Sequence, residues 1–286
     1  MNVKRVVPSG FCKGVVSAVN LAKKTRISNP DTPIYILGNI VHNSYVTDEL
    51  TKQGIVTLDD SKCSRYELLD QINSGIVILT AHGTADAVKN KALKKGLTVV
   101  DGTCKDVLKT KDIIVQYLDS GYDVIYFGKK NHPEANAILS LSKRIHLVSG
   151  KEDIEQLNIT NQKIIITNQT TMSFLELEKM IELIKVRYPN AEAVKEICTA
   201  TSMRQKAILE LKDCEVLYVV GDIKSNNTTR LFEIARNRGI KKVYMINDVK
   251  DIKKEDVKGH DCVHVTAGAS TPPELINEII DYLKTL

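Results

Sequence analysis

One cysteine-centred pattern occurs three times in this chain, and that recurrence limits the possible folds more than any other feature. VVPSGFCKGV (6–15) returns as VVDGTCKDV (99–107) and, more loosely, as VKEICTATS (194–202). The shared cysteines, Cys12, Cys104 and Cys198, stand 92 and 94 residues apart. Each follows a run of β-type residues and opens a run with helical spacing: Val15, Val16, Val19 and Ala22 after the first, Leu108, Ile114 and Leu118 after the second, Met203, Ala207 and Leu211 after the third. A further apolar run in each copy ends at glycine, with a polar residue four positions on: Gly38 and His42, Gly128 and His132, Gly221 and Ser225. The last apolar run of each copy ends at threonine and a short polar turn: Thr80 with His82, Thr167 with Thr170, Thr266 with Ser270. Self-similarity at a fixed period means that one supersecondary unit has been repeated.

Within each copy, strands alternate with helices, which predicts an α/β fold with parallel sheets of about four strands and helices on both faces. Three pseudo-symmetric α/β units are expected, over residues 1–96, 97–193 and 194–286, the third able to take in the N-terminal strand. Parallel sheets bind ligands outside the carboxyl ends of their strands, and every polar feature named above stands at such an end. Three equivalent units about a pseudo-threefold axis would bring the three cysteines and the polar turns to one centre.

Composition excludes several classes of function. Hydrophobic residues make up 43% and charged residues 26%, with no Trp and four Phe, so the cores must be aliphatic. The net charge of +5 is scattered, and no basic block interleaved with aromatics argues for nucleic acid. The first apolar stretch is too short for a signal peptide, and no uninterrupted apolar run is long enough to span a bilayer. A cytoplasmic protein with no membrane association is expected. Six cysteines in 286 residues are too few for a disulfide framework, and in a reducing compartment selected thiols serve as metal ligands or in catalysis.

Three symmetry-related thiolates cannot complete a four-cysteine site. On a cubane 4Fe–4S cluster they leave one iron open to substrate. Zinc is the competing metal, but structural zinc uses close C-x2-C pairs and four ligands, and neither is present. Any one of these cysteines alone could equally be a buried structural thiol; recurrence in three copies argues against that for the set. Each also opens a helix, whose dipole and unpaired N–H groups suit an anionic sulfur ligand. Cys63, Cys214 and Cys262 have no counterparts in the other copies and read as core or incidental, Cys63 in a loop. His42, His82 and His132 stand at strand ends beside helix N-termini, where phosphate is readily bound, whereas His146, His260 and His264 read as structural. Glu134, in the turn HPE, is either the one carboxylate of a non-acidic pocket or a charge complementing a helix dipole. Neither G-x-G-x-x-G nor a Walker A run is present.

GFCKGV, VHNSYV, AHG, TCKDV, HPE, NQTTMS, CTATSMRQ, SNNTTRL and TAGAST occur in this order over essentially the whole chain. In these motifs the sequence resembles the 4-hydroxy-3-methylbut-2-enyl diphosphate reductases, last enzymes of the non-mevalonate isoprenoid pathway. The resemblance implies one 4Fe–4S cluster on Cys12, Cys104 and Cys198. It implies a small allylic diphosphate substrate held by His42, His82, Ser225, Asn227 and Ser270, with His132 close by. Glu134 and Thr170 would serve the substrate hydroxyl and its proton. The reaction would be a reductive dehydroxylation to isopentenyl and dimethylallyl diphosphates, with electrons from a separate protein such as ferredoxin or flavodoxin. The family often has Ser-Ser-Asn where this chain has Ser225, Asn226 and Asn227; the Asn226 amide can still hydrogen-bond phosphate. Quinolinate synthases also surround a three-cysteine cluster with three α/β units, but HPE, NQTT and TAGAS argue against that reaction. A non-catalytic iron–sulfur sensor would need an output module, and neither a DNA-binding helix pair nor a basic patch is present.

Overall fold

The strand-forming runs are short and rich in Ile, Val and Leu, which suits strands buried on both faces of a parallel sheet. In the computed structural model, which describes residues 1–286, they form β1 (Asn2–Arg5), β2 (Ile34–Leu37), β3 (Ile55–Leu58), β4 (Ile76–Leu79), β5 (Thr98–Asp101) and β6 (Asp123–Phe127). The remainder are β7 (Ile145–Val148), β8 (Ile164–Asn168), β9 (Glu192–Ala193), β10 (Val216–Val220), β11 (Lys242–Ile246) and β12 (Cys262–Ala267). They make three four-stranded sheets, ordered β3-β2-β4-β5, β7-β6-β8-β9 and β1-β12-β10-β11. Every pairing is parallel, and the expected α/β architecture is the one observed.

Sheet membership differs from the order of the sequence repeats in one respect. The strand leading into each cysteine closes the sheet of the preceding copy: β5 pairs with β4, and β9 pairs with β8. The N-terminal β1 joins the last sheet through β12. The chain therefore leaves one sheet at each cysteine turn and starts a helix there. The chain divides into two compact units: Met1–Val16, His42–Val46 and Cys198–Leu286 form one, and Ser17–Val41 with Thr47–Ile197 form the other. The first contains the β1-β12-β10-β11 sheet, the second the other two.

Burial on both faces is clearest in β10, all five of whose residues are buried. Val216, Tyr218 and Val220 pack with Leu275, Ile276 and Ile279 on one face, and Leu217 and Val219 with Ile208, Leu231 and Ile234 on the other. Each such side chain contributes about 1.5–3 kcal/mol. The helices that follow the cysteines depart from the expected apolar spacing. The Lys105–Asp119 helix buries Val107, Thr110, Ile114 and Leu118 and leaves Leu108 40% exposed. The Thr199–Leu209 helix buries Thr201, Arg204, Gln205 and Ile208 and leaves Met203 51% exposed. No helix is long and apolar enough to cross a membrane.

The turn carrying Cys104 shows how the backbone is brought to the end of a sheet. The Asp101 carboxylate accepts hydrogen bonds from the Thr103 N–H and hydroxyl, at 3.0 and 2.6 Å. Gly102 donates its N–H to Leu79 O at 3.0 Å, and a Cβ added there would stand 2.6 Å from that same backbone oxygen. Neither backbone can yield easily. Gly102→Ala is expected to destabilise the fold by about 1–3 kcal/mol, read as a lowered urea midpoint at unchanged slope; an unchanged midpoint would mean that the turn relaxes freely.

Candidate active site

Glu134 is the second residue of the Pro133–Leu139 helix and is 1% exposed. An isolated buried carboxylate is costly, so its surroundings matter. Thr170, in the turn after β8, donates its N–H to Glu134 Oε1 at 2.7 Å and its hydroxyl to Oε2 at 3.0 Å. The buried Tyr126 hydroxyl stands 3.5 Å from Oε1. Burial pushes the Glu134 carboxyl up to about 7; the Thr170 and Tyr126 hydrogen bonds oppose this, and the Asp106 charge adds to it. A pKa near neutrality is what a group needs to give and take protons at physiological pH. His132 caps the same helix, its Nδ1 accepting the Glu134 N–H at 3.2 Å. That acceptance leaves the proton of the neutral ring on Nε2. The His82 ring meets His132 edge-on, with centroids 5.6 Å apart, and Cys104 donates its N–H to Ala81 O, beside His82, at 3.0 Å. Cys104, His82, His132, Glu134 and Thr170 thus gather within the unit formed by Ser17–Val41 and Thr47–Ile197.

The other unit gathers a second set. Ser225 caps the Asn226–Asn237 helix by accepting the Thr228 N–H at 3.4 Å, and Asn226 and Asn227 are buried in its first turn. Asn227 Oδ1 accepts the Ala269 N–H at 3.0 Å, and its Nδ2 donates to Thr201 Oγ1 at 3.3 Å. Thr201 is in turn 3.2 Å from Cys198 Sγ. Ala269 O accepts the Cys12 N–H at 3.1 Å. Ser270 donates its hydroxyl to His42 O at 2.9 Å and stands 3.4 Å from Ser225 Oγ. The turn 268–271 therefore ties Cys12, His42, Ser225, Asn227 and Ser270 into one network that reaches Cys198. Tyr126, Thr201 and Arg204 were not singled out from the sequence. They lie in VIYFG and CTATSMRQ, but nothing local marks a strand tyrosine or a helical arginine as facing a site.

The donor set suits an iron–sulfur cluster. Cys12, Cys104 and Cys198 are half-buried and each immediately precedes a helix. No disulfide engages any of the six cysteines. Within either unit, no three His, Cys, Asp or Glu side chains group as a single metal ion requires. By contrast, burial pushes the Cys214 thiol up to about 11, which makes it inert, and the half-buried Cys63 packs against an aliphatic core. His146 and His260 pair with Asp123 and Glu215, at 3.1 and 3.0 Å, as structural histidines do.

A family model described as LytB protein matches residues 3–284. The chain belongs to the LytB family. A protein of Anoxybacillus flavithermus named 4-hydroxy-3-methylbut-2-enyl diphosphate reductase is 45% identical over 288 residues, covering 99% of this chain and 90% of the relative. One of the same name from Bacillus subtilis is 44% identical over 287 residues, covering 99% and 91%. The solved E-1-hydroxy-2-methyl-but-2-enyl-4-diphosphate reductase of Plasmodium falciparum superposes with a TM-score of 0.91 at 28% identity, covering 99% of this chain and 88% of that one. The motif resemblance is therefore to the chain's own family, and this LytB member is an oxidoreductase.

Glu134 links the site to stability. Its folded pKa of about 7 exceeds the ordinary 4.5, so between those values the folded chain holds a proton that the unfolded chain releases. Stability from this group is complete below the ordinary value and is lost as pH rises through the folded one. The loss is on the order of 3 kcal/mol. Compared with Glu134→Gln, the wild type should lose that much stability between about pH 5 and about pH 8 in urea titrations. Parallel pH profiles for the two proteins would show that Glu134 does not titrate there.

Proposed function

We propose that the chain catalyses the reductive dehydroxylation of (E)-4-hydroxy-3-methylbut-2-enyl diphosphate to isopentenyl and dimethylallyl diphosphates. The observation that carries the reading is the buried Glu134 carboxyl, held by both donors of Thr170 and poised at about 7, in a chain whose relatives are named for this reaction. An allylic hydroxyl leaves only with a proton. Glu134 delivers that proton to the departing oxygen, a service worth roughly 100- to 10,000-fold in general acid catalysis. Thr170 orients the carboxyl and relays protons through its hydroxyl. His42, His82, Ser225, Asn226, Asn227 and Ser270 hold the diphosphate, aided by the N–H groups opening the Asn226–Asn237 helix, with His132 close to it. Binding the diphosphate remotely spends its interaction energy on positioning the reacting end.

Cys12, Cys104 and Cys198 would hold one 4Fe–4S cluster. When bound, it supplies electrons one at a time and a Lewis-acidic iron without a protein ligand. The electrons would come from a cytoplasmic carrier such as ferredoxin or flavodoxin.

Serine at Cys12, Cys104 or Cys198 is expected to abolish turnover and impair iron retention, whereas serine at Cys63, Cys214 or Cys262 leaves most of both; equal losses in the two groups would refute the ligand assignment. Glu134→Gln should keep substrate affinity, measured by calorimetry, and lose about 100- to 10,000-fold in turnover with a strong chemical reductant. Near wild-type turnover would reduce Glu134 to a charge at a helix end.

A further inference from the structure

Arg204 is a buried cation without a carboxylate. It lies on the Thr199–Leu209 helix and is 4% exposed. Its Nη1 donates to Ala200 O at 2.7 Å, its Nη2 to Gly10 O at 2.5 Å, and its Nε has no partner. The charges that bear on it favourably are the sulfurs of Cys12 and Cys198, which push its pKa back up against burial. A guanidinium does not shed its proton in a protein, and a buried charge persists only where an opposite charge compensates it. The compensating charge must therefore come from what the two sulfurs become or carry.

The same side chain is a fastener. Gly10 stands two residues before Cys12, and Ala200 two after Cys198. One planar fork thus joins the turn before Cys12, through Gly10 O, to the first turn of the helix that Cys198 opens, through Ala200 O. The Gly10 turn is itself fixed: φ is +79°, and a Cβ there would lie 2.6 Å from Ile276 Cδ1 and 3.1 Å from Thr271 O. The buried face around Arg204 is polar, with Thr201 and Gln205 beside it, where an apolar face would cost less if packing were its only task.

We propose that Arg204 is a positioning residue and the fixed countercharge of the anionic centre held by Cys12 and Cys198, and that it makes this centre easier to reduce. The proposal rests on the cluster reading above. Three thiolates outweigh the positive charge of a cubane core, and one electron from a reductant makes the centre more anionic still. No bond forms or breaks and no proton moves in that step. A fixed cation beside the centre favours the reduced state.

The test is an anaerobic redox titration, followed by electron paramagnetic resonance, of reconstituted wild type, Arg204→Gln and Arg204→Lys, with iron per chain measured before and after a chelator challenge. Removing the charge in Arg204→Gln should lower the reduction constant about tenfold or more, a shift of about 59 mV to more negative potential for one electron. Arg204→Lys keeps the charge but not the fork, so its potential should stay near wild type while iron is lost faster to the chelator. A loaded glutamine variant with wild-type potential would overturn the proposal. So would a lysine variant that loads no cluster or shifts as far as glutamine. Failure of the cluster reading itself looks different: wild type would then give no iron–sulfur signal at all.

Discussion

Parallel strands buried on both faces leave a chain nowhere to put its chemistry except at their carboxyl ends. In β10, β8 and β4 every side chain is buried, so the sheets act only as rigid scaffolds. The polar residues described above lie mostly at the strand ends, in the turns that follow and in the helices that those turns open. Those turns are short and pinned from several sides. The Cys12 N–H is spent on Ala269 O, the Cys104 N–H on Ala81 O, and the Gly102 N–H on Leu79 O. Main-chain hydrogen bonds thus fix the backbone at Cys12 and at Cys104 within their own units.

Charge is distributed with the same economy. One carboxyl, Glu134, is buried with two donors from Thr170 and still rises to about 7. One guanidinium, Arg204, is buried with two carbonyls and no acid. Either would be a liability in an ordinary core. In the proposed function an uncompensated group becomes useful: the carboxyl, at about 7, can exchange a proton near neutrality, and the cation can meet an incoming negative charge.

Much of this was legible in the sequence because it is local or repeated. The β-branched runs marked the strands, and the triplication marked Cys12, Cys104 and Cys198 as a set. What escaped depends on three-dimensional contacts that no local pattern carries. The strand that leads into each cysteine belongs to the preceding sheet, since an edge strand's partner is set by long-range pairing and not by its own residues. Leu108 and Met203 were expected in apolar stripes, yet both are exposed; the Thr199–Leu209 helix instead buries Thr201, Arg204 and Gln205, so a search for hydrophobic period follows the wrong face there. His132 was visible as a strand-end polar residue, but not as the cap that accepts the Glu134 N–H. Nothing in the run VIYFG marks the Tyr126 hydroxyl as a neighbour of Glu134.

The central claim is that three thiols without a fourth partner hold a cluster with an open iron. It is tested most directly by iron and acid-labile sulfide analysis of protein purified without oxygen. About four irons and four sulfides per chain are predicted. Stoichiometric zinc, or a protein with neither iron nor sulfide after anaerobic reconstitution, would contradict the claim.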